Sequence, residues 1–271
     1  MGSWIGIILK IVNKTPLIVR TGYDIFIFSI KNKKSITKKI FYYLLTQICL
    51  IFCNLYTVSS KADQLFLFKY FMIGKKKISV HSNWVDYPKK IKLISSRYDN
   101  KILSVGRLEK QKDFNFLISE LENSGIEIDI YGEGSLKSAL IKEASINNVK
   151  VNFLGKVSNS ELLKNMENYK LFCLMSSFEG NPKVILEAMA NGCVCVVSNI
   201  LNNAEIIKNK DNGFLVSKNK KELKRVVLEL FSNNEKLRRL SSSGRHTVKN
   251  NFSFEKSFST ELKNYKKILK T

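Results

Sequence analysis

Two carboxylates, Glu179 and Glu187, stand in FEGNPKVILEAMANG, residues 178–192, around a run that is otherwise almost wholly apolar. Asn181 reads as an N-cap with Pro182 at the first helical position, and Gly192 reads as the helix stop. A helix start leaves backbone N–H groups without partners inside the helix, and such an end attracts anions. Gly180, just ahead, lets the backbone approach a ligand closely. Arg107 and Lys112, in GRLEKQKD, can bring full positive charge to the same place. Those parts suit a phosphate or diphosphate. Carboxylates aimed at phosphate would repel it, so Glu179 and Glu187 need other partners. Sugar hydroxyls fit, because an ionised carboxylate can accept two hydroxyl hydrogen bonds. Plainer readings stay open on spacing alone. Lys183 and Glu187 are placed for a helix-surface ion pair, Glu179 can assist capping, and Arg107 and Lys112 can be surface charges.

What must position these residues is an alternation of strand-like and helix-like pieces, the pattern of parallel α/β layers. In the first third the expected strands are 16–22, 55–60 and 77–82, with helices at 36–52 and 61–72. NWVDYPKK, 83–90, reads as a linker. A second series follows, with strands at 101–106, 127–132, 149–155, 171–176, 194–199 and 213–217. Helices are expected between them at 112–125, 135–148, 159–168, in FEGNPKVILEAMANG and at 203–208. Three more close the chain, at 219–232, 235–250 and 254–270. The second series makes a complete doubly wound sheet, and the first makes only part of one. The expected domains are 1–90, 91–252 and a last helical segment, 253–271, packing back on the first. In such sheets ligands sit beyond the carboxyl ends of the strands. Reading only those ends collects GRLEKQKD, Gly132 and Gly134, KVSNS, SFEGNPK and NILNNAE, so cations, glycines and carboxylates share one edge.

Composition closes off several alternatives. The five cysteines form no pair of CxxC knuckles, and Cys173, Cys193 and Cys195 lie in strand-like runs as small buried residues of a reducing compartment. No Asp-x-Asp run is present, so no divalent metal is expected. His81 and His246 build no nucleophilic triad and read as packing or surface residues. The opening MGSWIGIILKIV carries Lys10 and is followed by no small-residue cleavage site, so no secretory signal is expected. The longest apolar run, 40–52, has 13 residues and contains Thr46 and Gln47, short of the roughly 20 a spanning helix needs. The chain carries a net +22, unevenly spread: residues 1–90 hold 15 Lys and Arg against 3 Asp. A lysine-rich proteome bias explains that balance, and so does attraction to an anionic membrane surface, lipid phosphate or nucleotide. Nucleic acid is not expected as a partner, since no zinc-finger, RNP or basic-zipper pattern occurs. YGEGSLKSAL prompts a nicotinamide-binding reading, but Lys137 stands where the fingerprint needs glycine, and the later acid is missing.

The motifs together resemble one family. FEGNPKVILEAMANG resembles the glutamate–seven residues–glutamate signature of the retaining family 4 glycosyltransferases (glycosyl transferases group 1). GRLEKQKD resembles their diphosphate loop, and DIYGEGSLKSAL, VNFLGKVSN and SNILNNAEII fall in matching order over about 100–217. The resemblance implies an α/β, GT-B-like fold. One complete Rossmann-like doubly wound parallel sheet would form the C-terminal domain, beside a truncated Rossmann-like N-terminal domain. It implies Arg107, Lys112 and Glu179 as catalytic residues. Arg107 and Lys112 would neutralise the leaving diphosphate, and Glu179 would hold the transferred sugar. Glu187 would hold ribose, the backbone of Gly180, Asn181, Pro182 and Lys183 the sugar or phosphate, and Lys156 and Val157 the base. Gly106 and Gly132 complete the donor-binding set. The implied partners are a nucleotide-sugar donor, which is a substrate and not a cofactor, and a glycan or lipid-linked acceptor. Cofactors and metal are expected to be none. The charge and the short apolar runs give an expected location that is cytoplasmic, either free or peripheral on the inner face of the membrane. IVRTGYD, 58–63 and NWVD match only the later part of the family's first domain. That leaves two further expectations: a partner chain that completes this domain, or an inactive nucleotide-sugar-binding half. NNAE at 202–205 departs from the family's usual glycines.

Overall fold

The computed structural model describes residues 3–71, 77–219 and 221–269. The chain divides into two compact units. One combines the described residues up to Asn83 with those from Phe254 on; the other is Trp84–Ser253.

The first unit carries helix α1 (Ser3–Asn13), strand β1 (Ile18–Arg20), helices α2 (Ile25–Lys31) and α3 (Ile36–Phe52), strand β2 (Leu55–Val58), helix α4 (Lys61–Tyr70) and strand β3 (Ile78–Val80). Its three strands run parallel in the order β1-β2-β3, with Val19 opposite Tyr56 and Tyr56 opposite Ile78. The central strand is buried at every position, and Phe26, Ile27, Leu50, Leu67 and Phe71 fill the core beside it. Asp24 caps α2, accepting from the amides of Phe26 and Ile27 at 2.9 and 3.1 Å. Its other oxygen accepts from the Tyr56 hydroxyl. Burial raises the Asp24 pKa above the ordinary carboxylate value, against these hydrogen bonds, which lower it. The last helix, α12 (Phe254–Leu269), belongs to this unit. It is tied by Glu261 to Arg20 at 3.1 Å and by the Asn264 amide to His81 Nε2 at 2.7 Å.

The second unit carries six parallel strands: β4 (Tyr98–Val105), β5 (Glu127–Tyr131), β6 (Val151–Gly155), β7 (Tyr169–Leu174), β8 (Val194–Ser198) and β9 (Phe214–Val216). Their order is β6-β5-β4-β7-β8-β9, so the winding reverses between β4 and β7. Helices α5 (Phe114–Glu120), α6 (Lys137–Ile146), α7 (Asn159–Met166), α8 (Lys183–Ala190) and α9 (Leu201–Ala204) make the crossovers. Helices α10 (Glu222–Phe231) and α11 (Asn234–Asn251) follow β9. Strand residues alternate between two apolar layers. Ile102, Leu171, Cys173, Val194 and Val196 join one cluster, while Leu103, Phe172, Leu174, Cys195 and Val197 join the other. Both faces of the sheet are therefore covered, as a doubly wound sheet requires. The segment read as a linker is held to this unit: Val85 donates to the Phe252 carbonyl at 3.1 Å, and Arg245 donates to the Pro88 carbonyl at 2.8 Å.

The structure adds two helices that the periodicity did not reveal, α1 and α2. Strand β4 starts earlier than expected, and α9 occupies 201–204 in place of 203–208. Residue 72 at the end of the expected helix 61–72, residue 220 in 219–232 and residue 270 in 254–270 lie outside the described residues. All five cysteines are free and buried. Burial pushes the Cys53 thiol up to about 11 and Cys193 up to about 12, which keeps both in the unreactive thiol form. None of the described helices is long and apolar enough to cross a membrane.

Candidate active site

The charged motifs sit where the winding reverses. The loop after β4 carries Gly106, Arg107 and Lys112, and the loop after its neighbour β7 carries Glu179, Gly180, Asn181 and Pro182. Two hydrogen bonds bind the loops together: Ser177 N donates to the Gln111 carbonyl at 2.8 Å, and Gln111 Nε2 donates to the Phe178 carbonyl at 2.9 Å. This brings Lys112 Nζ to 2.6 Å from Glu179 Oε1. Glu179 is 7% exposed and Glu187 6% exposed, so both carboxylates are buried. Such acids persist as charges only where cations or hydrogen-bond donors face them. Glu187 lies in α8 with Lys183 Nζ at 3.6 Å. The ion pair that the four-residue spacing allowed is thus present, while Lys183 itself stays exposed.

Backbone packing sets the shape of the edge. Gly132 follows β5 with φ +147°, and a Cβ there would stand 1.9 Å from the Gly106 carbonyl oxygen. Gly106 N donates to the Tyr131 carbonyl, and Leu108 N to the Glu133 carbonyl. The loops after β4 and β5 are thereby pressed together, with the Lys112 stem lying over Gly106. From the other side, Asn202 of α9 donates to the Gly180 carbonyl at 2.7 Å. Asn203 donates to the Ser198 carbonyl at 2.9 Å. Of the asparagines that stand where the family often has glycines, Asn202 therefore braces the Gly180 loop and Asn203 the end of β8. Two buried polar atoms at this edge, Ser176 Oγ and Asn203 Oδ1, have no hydrogen-bond partner among the described residues. Each such atom costs about 1–3 kcal/mol unless something satisfies it.

Pro182, not Asn181, occupies the cap position of α8, with extended backbone (ψ 95°) and no side-chain capping bond. The helix begins one residue later than the sequence suggested, because proline fixes φ but left ψ free to stay extended. Ile185 N donates to the Pro182 carbonyl at 3.0 Å. The amides of Lys183 and Val184 precede the first helical hydrogen bond and have no acceptor within the helix.

The expected residues do not all converge equally. Gly106, Lys112, Gly132, Glu179 and Gly180 are linked through the contacts above. Arg107 is exposed and makes no ion pair with the described residues. Lys156 is exposed after β6, and Val157 packs against an apolar cluster. Gln111, Asn202 and Asn203 were not picked out by sequence reasoning. The signal they offered was amide side chains within GRLEKQKD and NILNNAE, two of the strand-end segments. His81 is buried and bonded within the first unit, and His246 is exposed beside Asn250. Among the described residues, no group of three or more His, Cys, Asp or Glu is placed to hold a metal.

Comparison with known proteins identifies the family and the fold. Residues 89–247 match the family described as glycosyl transferases group 1. One relative is a Campylobacter jejuni alpha-1,4-N-acetyl-D-galactosaminyltransferase named for a PP-undecaprenol-linked glycan; it is 28% identical over 85% of this chain and 62% of its own length. A second is an Escherichia coli alpha-1,3-galactosyltransferase named for UDP-Gal and GlcNAc-diphosphoundecaprenol; it is 27% identical over 72% of this chain and 55% of its own. This chain thus spans little more than half the length of these relatives. Among solved structures, Anabaena HepE in complex with UDP and glucose superposes with a TM-score of 0.83 at 17% identity, over 97% of this chain and 75% of that one. That likeness shows a shared α/β fold of parallel sheets, GT-B-like. With more than half of its residues matched and its strand-end motifs in the family's order, the chain belongs to the glycosyl transferases group 1 family.

Proposed function

We propose that the chain transfers a sugar from a nucleotide-sugar donor to a hydroxyl of a glycan or lipid-linked acceptor, with retention of configuration, in surface glycan synthesis. The observation that carries this reading is the pairing of Lys112 with buried Glu179 across two hydrogen-bonded loops at the sheet's reversal. The names of the relatives, which specify diphospho-undecaprenol-linked acceptors, support the acceptor class.

In this mechanism the bond from the sugar anomeric carbon to the diphosphate oxygen breaks. A bond from the same carbon to the acceptor oxygen forms on the same face. The acceptor proton passes to the departing phosphate oxygen. Arg107, Lys112 and the free amides at the start of α8 oppose the negative charge that grows on the diphosphate. Glu179 accepts from hydroxyls of the transferred sugar, and Glu187 accepts from ribose hydroxyls. The donor enters by displacing Lys112 from Glu179, so that each side chain gains the partner suited to its charge. Gly106, Gly132 and the backbone of Gly180 to Lys183 give the phosphates and sugar close access. Lys156 and Val157 flank the base. No cofactor takes part.

The test is calorimetry with nucleoside diphosphates, followed by turnover of nucleotide-sugars with Lys112→Ala and Glu187→Ala. The expected result is nucleotide binding by the wild type and loss of about a hundredfold to a thousandfold in kcat for Lys112→Ala. Unchanged turnover in both variants would defeat the assignment. A second reading has its own support: the first unit has three described strands, half the number in the second. In that reading the chain binds donor but needs a partner chain for transfer, and calorimetry would show nucleotide binding while acceptor screens show no product.

A further inference from the structure

Helix α1 is apolar on nearly every side, with Lys10 its only charged residue. One side meets the first unit. Gly6 lies so close to Leu17 that an added Cβ would stand 2.7 Å from its δ-carbon. Ile7 packs on the core, and Lys10 donates to Asn54 Oδ1. The rest of the helix faces outward: Trp4 is 59% exposed, and Ile8, Leu9 and Val12 stand beside it about half exposed or more. Helix α3, which touches α1, repeats the arrangement. It buries Thr46, Cys49 and Leu50 and turns Ile40, Phe41, Leu44 and Ile48 outward, with Phe41 61% exposed.

A helix apolar all round belongs in a protein core or in lipid. At 11 residues, α1 is about 16 Å long, against roughly 30 Å of bilayer hydrocarbon, so it can lie in a membrane surface but not cross it. Charge selects the occupant. Lys14 follows α1, Lys33 and Lys34 precede α3, and Lys38 and Lys39 stand in its first turn. Between Ser3 and Phe52 the single acid is Asp24, which is buried under its cap bonds. The surface therefore offers apolar side chains and cations with no exposed carboxylate. That combination matches an interface of acyl chains and anionic headgroups, with Trp4 at the depth where tryptophan favours the boundary.

We propose that α1 and the outer side of α3 form a monotopic docking surface for an anionic phospholipid bilayer. The exposed apolar side chains of both helices enter the interface while the flanking lysines meet the headgroups. The inference concerns the first unit alone and goes beyond sugar transfer, so vesicle binding and donor turnover can fail separately.

The experiment is co-sedimentation of the full chain with phosphatidylcholine vesicles, with and without phosphatidylglycerol, across a salt series. Binding is expected only with the anionic lipid and should fall as salt rises. Lys38→Gln combined with Lys39→Gln should weaken it about thirtyfold. Phe41→Ser should weaken it about tenfold or more. Because both α3 variants alter exposed positions, circular dichroism should stay unchanged. Tryptophan emission should shift to the blue on vesicle addition, and the shift should vanish in Trp4→Phe. Equal binding to both lipids, or wild-type binding by the folded α3 variants, would overturn the proposal. So would a concentration-dependent dimer that shields Trp4 and is broken by Phe41→Ser, since a second copy would then be the occupant.

Discussion

At the scale of single residues, the site rests on charges that were visible in the sequence and contacts that were not. Glu179, Glu187, Arg107 and Lys112 stood out because strand ends are where α/β sheets bind ligands. The pairing of Lys112 with Glu179 was hidden, because residues 67 positions apart meet only after β4 and β7 become neighbours. Removing Lys112 leaves a buried carboxylate unpaired. Lys112→Ala should therefore cost stability as well as turnover, about 3 kcal/mol by urea unfolding, and adding Glu179→Gln should restore most of it. Full additivity of the two substitutions would show that the pair is not coupled. Gly132 was expected to bind donor, and the structure gives it a backbone reason: positive φ and a neighbour where a side chain would have to go. Gly132→Ala should destabilise the second unit by about 3 kcal/mol in the same assay. Loss below about 0.5 kcal/mol would mean the loops part easily.

At the scale of elements, the parallel strands and most crossover helices were legible because apolar runs alternated with amphipathic ones. Helix α1 was not, because SWIGIILKIVN shows no polar face to mark a period, and α2 is only seven residues long. The start of α8 was misplaced by one residue because proline serves both at a cap and inside a first turn. Helix α12 illustrates an element held by a few polar contacts. The Asn264 amide donates to His81 Nε2, which requires that nitrogen to be unprotonated. Burial lowers the His81 pKa below its ordinary 6.5, with Arg20 adding to the shift and Glu261 opposing it. The folded state thus binds fewer protons than the unfolded one. The contribution is full above 6.5 and is lost as pH falls through the lowered folded value. Acidification should release α12, seen as faster amide exchange over Phe254–Leu269. His81→Gln should flatten that pH dependence, and an unchanged profile would place the sensitivity elsewhere.

At the scale of the whole molecule, the two units differ in completeness. Trp84–Ser253 is continuous in sequence and has a sheet covered on both faces, with Tyr87 stacked 4.4 Å from the Arg245 guanidinium and the preceding strand of chain fastened to α11. Produced alone, residues 84–253 should unfold in one cooperative transition and bind nucleoside diphosphates as the full chain does. A broad transition, or loss of nucleotide binding, would mean that the donor site needs the other unit. The fold class could be read from the order of elements, and the last helical segment was expected to pack back on the first domain, but the residues that hold it could not be read. Nothing in the periodicity of 254–269 says which sheet that helix will join, since its side chains to Arg20 and His81 are matched in three dimensions only.

That arrangement has a consequence for biosynthesis. Arg20 and Glu261 are 241 residues apart, so the helix that seals the first unit emerges from the ribosome after the strands of both units. The second unit, Trp84–Ser253, can settle while translation continues, but its companion must wait, with Arg20 and His81 lacking their mates. A pause between these two maturation events is written into the order of synthesis, and a nascent chain stalled before Phe254 should be captured by chaperones more readily than the released one.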